Sequence, residues 1–315
     1  MSGNRSSILI TGGFGNLGSW ISRFCLQKNY DVTILTNSGK DVFPHIEKKV
    51  IRCDISNYAD AMKKLAGKKF EHVIHLASYN ENFESDYFEK AYRVNTLGTR
   101  NLLEALDKTE LKNFIYFSTV HIYGSTGTVL TENSSALPAN DYAATHYFAE
   151  EIVRQFNRTQ KLPYTILRLS NSYGTPIDSN TNKWYLLFND MVKTAAEKGY
   201  IQLNTNGKPL RDYIWMGNVC SVVGQLLEIH APDDVFNLSS GKSRSVLEIA
   251  KYVQFAYKDI FGKDIDIRIN VNDNNQYSNI LTVSNDKLSK LVPFTPEDKF
   301  VEEAKNIMLR FKNNH

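Results

Sequence analysis

Apolar positions along the chain follow two rhythms in turn. Short apolar runs, bounded by polar or glycine-rich punctuation, predict strands at 8–10, 31–35, 49–52, 72–76, 114–118 and 164–169. Between them, apolar residues recur at helical spacing and predict helices at 17–26, 58–65, 87–106 and 142–156. In the 87–106 segment, Phe88, Ala91, Val94 and Leu97 fall on one face. Strands alternating with helices in this way predict an α/β fold: a Rossmann-like, doubly wound parallel sheet.

Beyond Asn171 the rhythm loosens. Residues 172–182 are turn-rich and include Pro176, and 207–214 reads as a basic, turn-forming segment. Helices are expected at 184–196, 219–230, 246–255 and 300–311, and short strands at 235–238 and 265–269. Asn270 to Asn275 is a low-complexity patch. The expected division is a dinucleotide-binding domain over 1–171 and a smaller, interleaved substrate lobe over 172–315, with some later segments returning to the sheet.

The first strand runs into Thr11-Gly12-Gly13-Phe14-Gly15-Asn16-Leu17-Gly18, and a helix follows at once. In such a turn Gly12 lets the chain reverse. Gly15 lets backbone approach a pyrophosphate, and Gly18 lets helix and strand pack closely. Free amides and partial positive charge at the helix start then face the anion.

Composition narrows the setting. The chain has 315 residues, 42% hydrophobic, with 37 basic against 34 acidic residues and a formal charge of +3. That balance gives no reason to expect a nucleic-acid or membrane partner. Cys25, Cys53 and Cys220 lack metal-ligand spacing and read as reduced thiols, so no metal site is expected. The polar start and the lack of a long apolar run point to a cytoplasmic protein.

Further motifs line up with the glycine loop. They are Asp54-Ile55, His75-Leu76-Ala77, Asn95-x-x-Gly98-Thr99, Ser118-Thr119-x-x-x-Tyr123-Gly124, Tyr142 opening a helix, Arg168-Leu169-Ser170-Asn171 and Arg211-Asp212-Tyr213-Ile214. In this order the chain resembles the extended short-chain dehydrogenase/reductase family, in particular its nucleotide-sugar epimerases, dehydratases and reductases. The resemblance covers almost the whole chain.

It implies an NAD-type cofactor held by Gly12, Phe14, Gly15, Asn16, Leu17, Gly18, Thr36, Asn37, Ser38, Asp54, Ile55, Leu76, Ala77, Asn95, Tyr142 and His146. It also implies a nucleotide-diphosphate sugar bound by Thr119, Asn171 and Arg211. The catalytic set would be Thr119, Tyr142 and His146, with Tyr142 as acid/base and Thr119 bonding the same oxygen. The turn at Thr36-Asn37-Ser38-Gly39 has neither the acid that selects NAD nor an arginine for a 2′-phosphate. NAD is favoured and NADP remains open. The resemblance further implies a homodimer built on the helix carrying Tyr87, Phe88 and Tyr92, with core packing as the other reading of those rings.

One position departs from the family. A lysine is expected four residues after Tyr142, and His146 stands there. An ammonium about 5 Å from a phenolate, at an effective dielectric of 20, is worth roughly 3 kcal/mol. A neutral imidazole supplies none of this. Val120 and His121 also replace the Asp-Glu pair of the 4,6-dehydratases, which argues against dehydration. His121 reads either as a replacement acid or as a plain loop side chain. The expected reaction is oxidation or reduction at one sugar carbon, C4 first, as a dehydrogenase or keto-reductase. A C4 epimerase is the alternative, and a catalytically degenerate sensor or scaffold the second alternative.

Overall fold

The computed structural model describes residues 5–38, 40–80, 86–124, 129–277 and 282–311. Gly39, part of the expected turn after the second strand, and the first four residues lie outside them. The chain begins β1 (Ser7–Thr11), α1 (Asn16–Gln27), β2 (Asp31–Thr36), β3 (Lys49–Arg52), α2 (Tyr58–Leu65) and β4 (His72–His75). Next come α3 (Tyr87–Ala91), α4 (Gly98–Ala105), β5 (Asn113–Thr119), β6 (Val129–Leu130), α5 (Asp141–Gln160) and β7 (Tyr164–Leu169). The second half contains β8 (Asn171–Tyr173), α6 (Leu187–Lys198), β9 (Tyr200–Gln202), β10 (Leu210–Trp215), α7 (Met216–Leu226) and β11 (Asp234–Leu238). It closes with β12 (Ser243–Ser245), α8 (Val246–Phe261), β13 (Asp266–Arg268), β14 (Thr282–Val283), α9 (Asp286–Leu291) and α10 (Phe300–Phe311).

Seven parallel strands form the main sheet in the order β11-β7-β5-β4-β1-β2-β3. The middle residues of its central strands are largely apolar because both faces are covered. Ile8 and Ile10 enter one core together with Ile34, Ile74 and Val223. Leu9 points the other way, into a second core with Val73, Leu102 and Val153. Each such side chain, fully buried, contributes roughly 1.5–3 kcal/mol. β11 returns to the sheet edge from late in the sequence, and α7 supplies Val219 and Val223 to the first core. The second half of the chain keeps a core of its own, where Tyr173 and Phe300 stack with ring centroids 4.0 Å apart.

Several expected elements moved. Leu210–Trp215 is a strand, not a turn: it pairs with β8 on one side and β12 on the other. The expected 184–196 helix begins as a 3-10 turn, Lys183–Tyr185, before α6 starts at Leu187. The expected 219–230 helix starts earlier, at Met216, and the 246–255 helix runs on to Phe261 before Gly262 caps it in the left-handed region. The 87–106 helix contains a π-helical stretch, Tyr92–Leu97, between α3 and α4. There the Asn95 amide donates to the Thr145 hydroxyl, and the Thr96 hydroxyl donates to the Thr145 carbonyl. The widened turn therefore brings two successive side chains to bear on α5.

Candidate active site

β1 and β4 are neighbours, yet the chain runs outward from β1 to β2 and β3 before returning to β4. Their C-terminal ends thus form the switch-point crevice where open α/β sheets bind ligands. The glycine loop fits a phosphate-bearing group. Gly12 has φ +67°, and a Cβ on Gly18 would lie 2.1 Å from the Gly12 carbonyl oxygen. α1 has no side-chain cap, so its first-turn amides are open to an anion, and the buried Asn16 Oδ1 has no partner.

Below this loop a hydrogen-bond chain locks the two strand ends. Thr99 donates its hydroxyl proton to the Asn95 carbonyl (2.6 Å), so its oxygen accepts from His75 Nε2–H (2.9 Å). His75 Nδ1 then accepts from Thr11 (2.6 Å), whose oxygen in turn accepts from the amides of Leu76 and Ala77. Burial pushes the His75 imidazole down to about 3 and keeps it neutral. The Asn95 side chain is taken up by both backbone groups of Tyr79 and by Thr145. Its part in the site is to hold the 77–80 loop.

Around the expected adenosine end, Thr36 accepts the Ser38 amide at 3.0 Å, and Asn37 and Ser38 are exposed. The Asp54 carboxylate closes a turn on Ser56, and the Ile55 carbonyl accepts from Asn101. Phe14 packs on Phe43, and Leu17 joins the first core. These residues line the same edge of the sheet as the glycine loop.

The candidate acid/base, Tyr142, sits across the crevice. Asn140 caps α5 by accepting the Ala143 amide (2.9 Å), which places Tyr142 in its first turn. Burial raises the Tyr142 pKa above the ordinary value of 10, and the nearby Thr119 hydroxyl, at the end of β5, works against that rise. One helical turn on, His146 lies edge-on to Tyr142 with ring centroids 4.7 Å apart. It is 4% exposed, and burial with the nearby His121 pushes it down to about 3. His146 is therefore neutral. Its ring nitrogens meet Tyr116 Oη (2.8 Å) and Ser78 Oγ (3.0 Å).

On the open side, His121 is exposed and edge-on to Tyr142. Burial of its surroundings and the charge on Arg211 lower its pKa. Arg211, on the exposed side of β10, is close enough for its charge to act on His121. Asn171 donates to the Asp212 carbonyl (2.9 Å) and joins β8 to β10. The Asn-rich patch lines a hollow of about 480 Å³ with Asn204, Thr205 and Tyr277, and Tyr277 also feels the Arg211 charge. Arg268 is stacked over the Tyr200 ring at 3.8 Å.

Arg168, part of a motif named above, is structural. It donates to the fully buried Glu150 at 3.0 and 2.9 Å and to Tyr123 at 2.9 Å, and Ser118 bonds the same carboxylate at 2.6 Å. The pair ties α5 to the ends of β5 and β7, and so holds Tyr142 in register with Thr119.

Ser78 and Tyr116 were not foreseen, nor was the path that the turn-rich segment 175–185 takes. A signal existed for Tyr116, because a buried tyrosine inside an apolar strand needs a partner for its hydroxyl. The segment crosses the crevice. Lys40 pairs with Asp178, Trp20 donates to the Thr175 carbonyl (3.0 Å), and Lys183 bonds Asn80 (2.7 Å).

A glycine loop at a sheet switch point, facing a Thr–Tyr hydroxyl pair, agrees with what the sequence resembles. The model of the NAD dependent epimerase/dehydratase family matches residues 8–253. The chain belongs to this family. A Methanocaldococcus jannaschii protein, provisionally assigned as UDP-glucose 4-epimerase, is 28% identical over 98% of this chain and 99% of its own. The dTDP-L-rhamnose 4-epimerase of Burkholderia thailandensis is 25% identical over 79% of this chain and 81% of its own. Among solved structures, the UDP-N-acetylglucosamine 4-epimerase of Methanobrevibacter ruminantium M1 superposes with a TM-score of 0.83 at 22% identity, covering 99% and 100% of the two chains. This family is NAD dependent, and its fold is the one described above. Among the described residues no helix is long and apolar enough to cross a membrane, and no cluster of metal-ligating side chains occurs.

Proposed function

We propose that this family member is an NAD-dependent nucleotide-sugar 4-epimerase. The observation carrying this reading is the Thr119–Tyr142 hydroxyl pair at the end of β5, across the crevice from the glycine loop. The names of relatives that align over nearly the full chain add weight, and they favour epimerisation over the one-way redox expected from the sequence.

In this reading the loop 12–18 holds the cofactor pyrophosphate, with Asn37 and Ser38 at the adenosine ribose. Arg211 pairs with the sugar nucleotide's diphosphate. Tyr142 takes the proton from the C4 hydroxyl and returns it, and Thr119 bonds the same oxygen. A bound nicotinamide would accept and return the hydride. The Arg211 charge and the amide-lined hollow at Asn204 and Tyr277 suit a nucleoside diphosphate.

A one-way keto-reductase is the second reading, and one observation favours it. Burial raises the Tyr142 pKa, and the residue one turn on is a neutral imidazole, which suits a proton donor better than a base. A homodimer is part of the proposal, because Phe88, Tyr92 and Phe148 leave an exposed apolar strip on α3, α5 and the π-helical stretch.

Incubation with a panel of nucleotide hexoses decides among the readings. An epimerase interconverts C4 isomers with no net change at 340 nm, whereas a reductase produces a net change. A degenerate relative shows neither, and that result overturns the proposal. His146→Lys should raise turnover near neutrality and move the pH optimum down, and identical pH–rate profiles would refute the assigned role of that position.

A further inference from the structure

We infer that Tyr116 fixes the tautomer of His146, and that Ser78 presents the hydrogen-bond donor which the missing lysine would otherwise offer to the cofactor ribose. The ribose clause rests on the function proposed above, whereas the tautomer clause does not.

The argument follows the protons. Tyr116 lies in the middle of β5 with 2% of its surface exposed, and His146 Nδ1 is its hydrogen-bond partner at 2.8 Å. Among the described residues no other group bonds its hydroxyl. Burial raises the Tyr116 phenol well above its ordinary value, so the O–H proton is present and needs an acceptor. If Nδ1 carried the imidazole proton, it would donate to Tyr116 Oη and leave the Tyr116 proton buried and unpaired. The penalty for such an orphan corresponds to about tenfold or more in population. The alternative satisfies every group: Tyr116 donates to a bare Nδ1, and Nε2 carries the proton.

Nε2–H then donates to Ser78 Oγ at 3.0 Å. Ser78 is exposed and follows directly on Leu76 and Ala77, whose amides are pinned to Thr11 at the crevice floor. With its oxygen accepting from the imidazole, the Ser78 hydroxyl proton is free to donate into the crevice. The result is a directed chain, Tyr116 to His146 to Ser78, that ends in a neutral donor. A hydroxyl there suits a ribose diol. It supplies no charge to Tyr142, so geometry is kept while the electrostatic help of a lysine is lost.

The test uses the full chain without cofactor, carrying 15N-labelled histidine. His146 is assigned by the signals missing from His146→Gln. The expected spectrum shows a protonated Nε2 and a bare Nδ1, and Tyr116→Phe should give a mixture of tautomers at unchanged secondary structure. A protonated Nδ1 in the wild type, or an unaltered tautomer in Tyr116→Phe, overturns the assignment. Should Tyr116→Phe fail to fold, the wild-type spectrum still decides. Calorimetric titration with NAD tests the other clause: Ser78→Ala should weaken binding about fivefold to tenfold, and Ser78→Thr should restore it. Unchanged affinity in Ser78→Ala overturns the role given to Ser78. A wild type that binds no NAD overturns the function reading and the ribose clause together, while the spectrum still judges the tautomer.

Discussion

On the cofactor side of the crevice, the locking bonds join residues that belong to recognisable motifs: Thr11 with His75, and His75 with Thr99. On the substrate side the corresponding knot is Asp212, whose buried carboxylate accepts from Ser170 (2.6 Å), the Ser240 amide and hydroxyl (2.9 Å each) and the Lys242 amide (3.1 Å). The first knot closes between two neighbouring strands of one sheet and the start of α4. The second gathers three segments that only the tertiary fold brings together, and it holds a charge where the first holds a neutral imidazole. The wall proposed for the cofactor is therefore motif-coded, and the wall proposed for the sugar nucleotide is assembled from parts that depend on one another.

The largest effect that sharpens this contrast is acid unfolding of the cofactor half. His72 is held down at about 4, and His75 and His146 at about 3, in each case chiefly by burial; all three lie on β4 or α5. An unfolded histidine titrates near 6.5. Below that pH the unfolded chain takes up protons that the folded chain refuses. Stability present above pH 6.5 is thus lost as pH falls toward 4 and then 3, at about 1.4 kcal/mol per unit for each histidine. Hydrogen exchange at pH 5 should show β4 and α5 losing protection before the α6–α8–α10 core. Loss in the reverse order would break the comparison.

Next in size, Tyr142→Phe should lower turnover by about a thousandfold at an unchanged melting temperature. Steady-state kinetics and calorimetry check both halves of that statement. Glu150→Ala strands a buried Arg168 and should cost about 3–5 kcal/mol in a denaturant titration, loosening Tyr142 and Thr119 together.

Asp212→Ala probes the other wall. It leaves the Ser170, Ser240 and Lys242 donors without their acceptor, at about 1–3 kcal/mol per buried group left unpaired. KM for the sugar nucleotide should rise several-fold while NAD affinity holds, and equal losses in both would show the walls to be one unit. The smallest effect is expected from Lys40→Ala. The Lys40–Asp178 pair is partly exposed, so its loss should change stability by less than about 1 kcal/mol. It should still speed NAD release, measured by stopped-flow displacement, because that pair ties the crossing segment to the loop after β2.

Much of the fold was legible along the chain. Ile8, Leu9 and Ile10 read as a strand because a central parallel strand is apolar on both faces, and each is completely buried. The glycines read as a phosphate turn because a side chain at Gly18 would collide with the Gly12 backbone. Tyr142 and Thr119 could be proposed from the sequence because their motifs are local. Leu210–Trp215 was misread because its strand character comes from pairing with Asn171–Tyr173 and Ser243–Ser245, which carries no local signature. The π-helical stretch escaped for a related reason. Its periodicity differs from an α-helix by a single widened turn, and the bonds that accompany it go to Thr145 on another helix.

The amino-acid order alone determined the sheet, the phosphate loop, the hydroxyl pair and the replacement of a lysine by His146. These are fixed by patterns that act within a few residues. Only the tertiary structure decided what His146 does. Its partners lie 30 residues away at Tyr116 and 68 away at Ser78. The proton on an imidazole is placed by whichever buried groups surround it, and those groups are chosen by packing across the sheet.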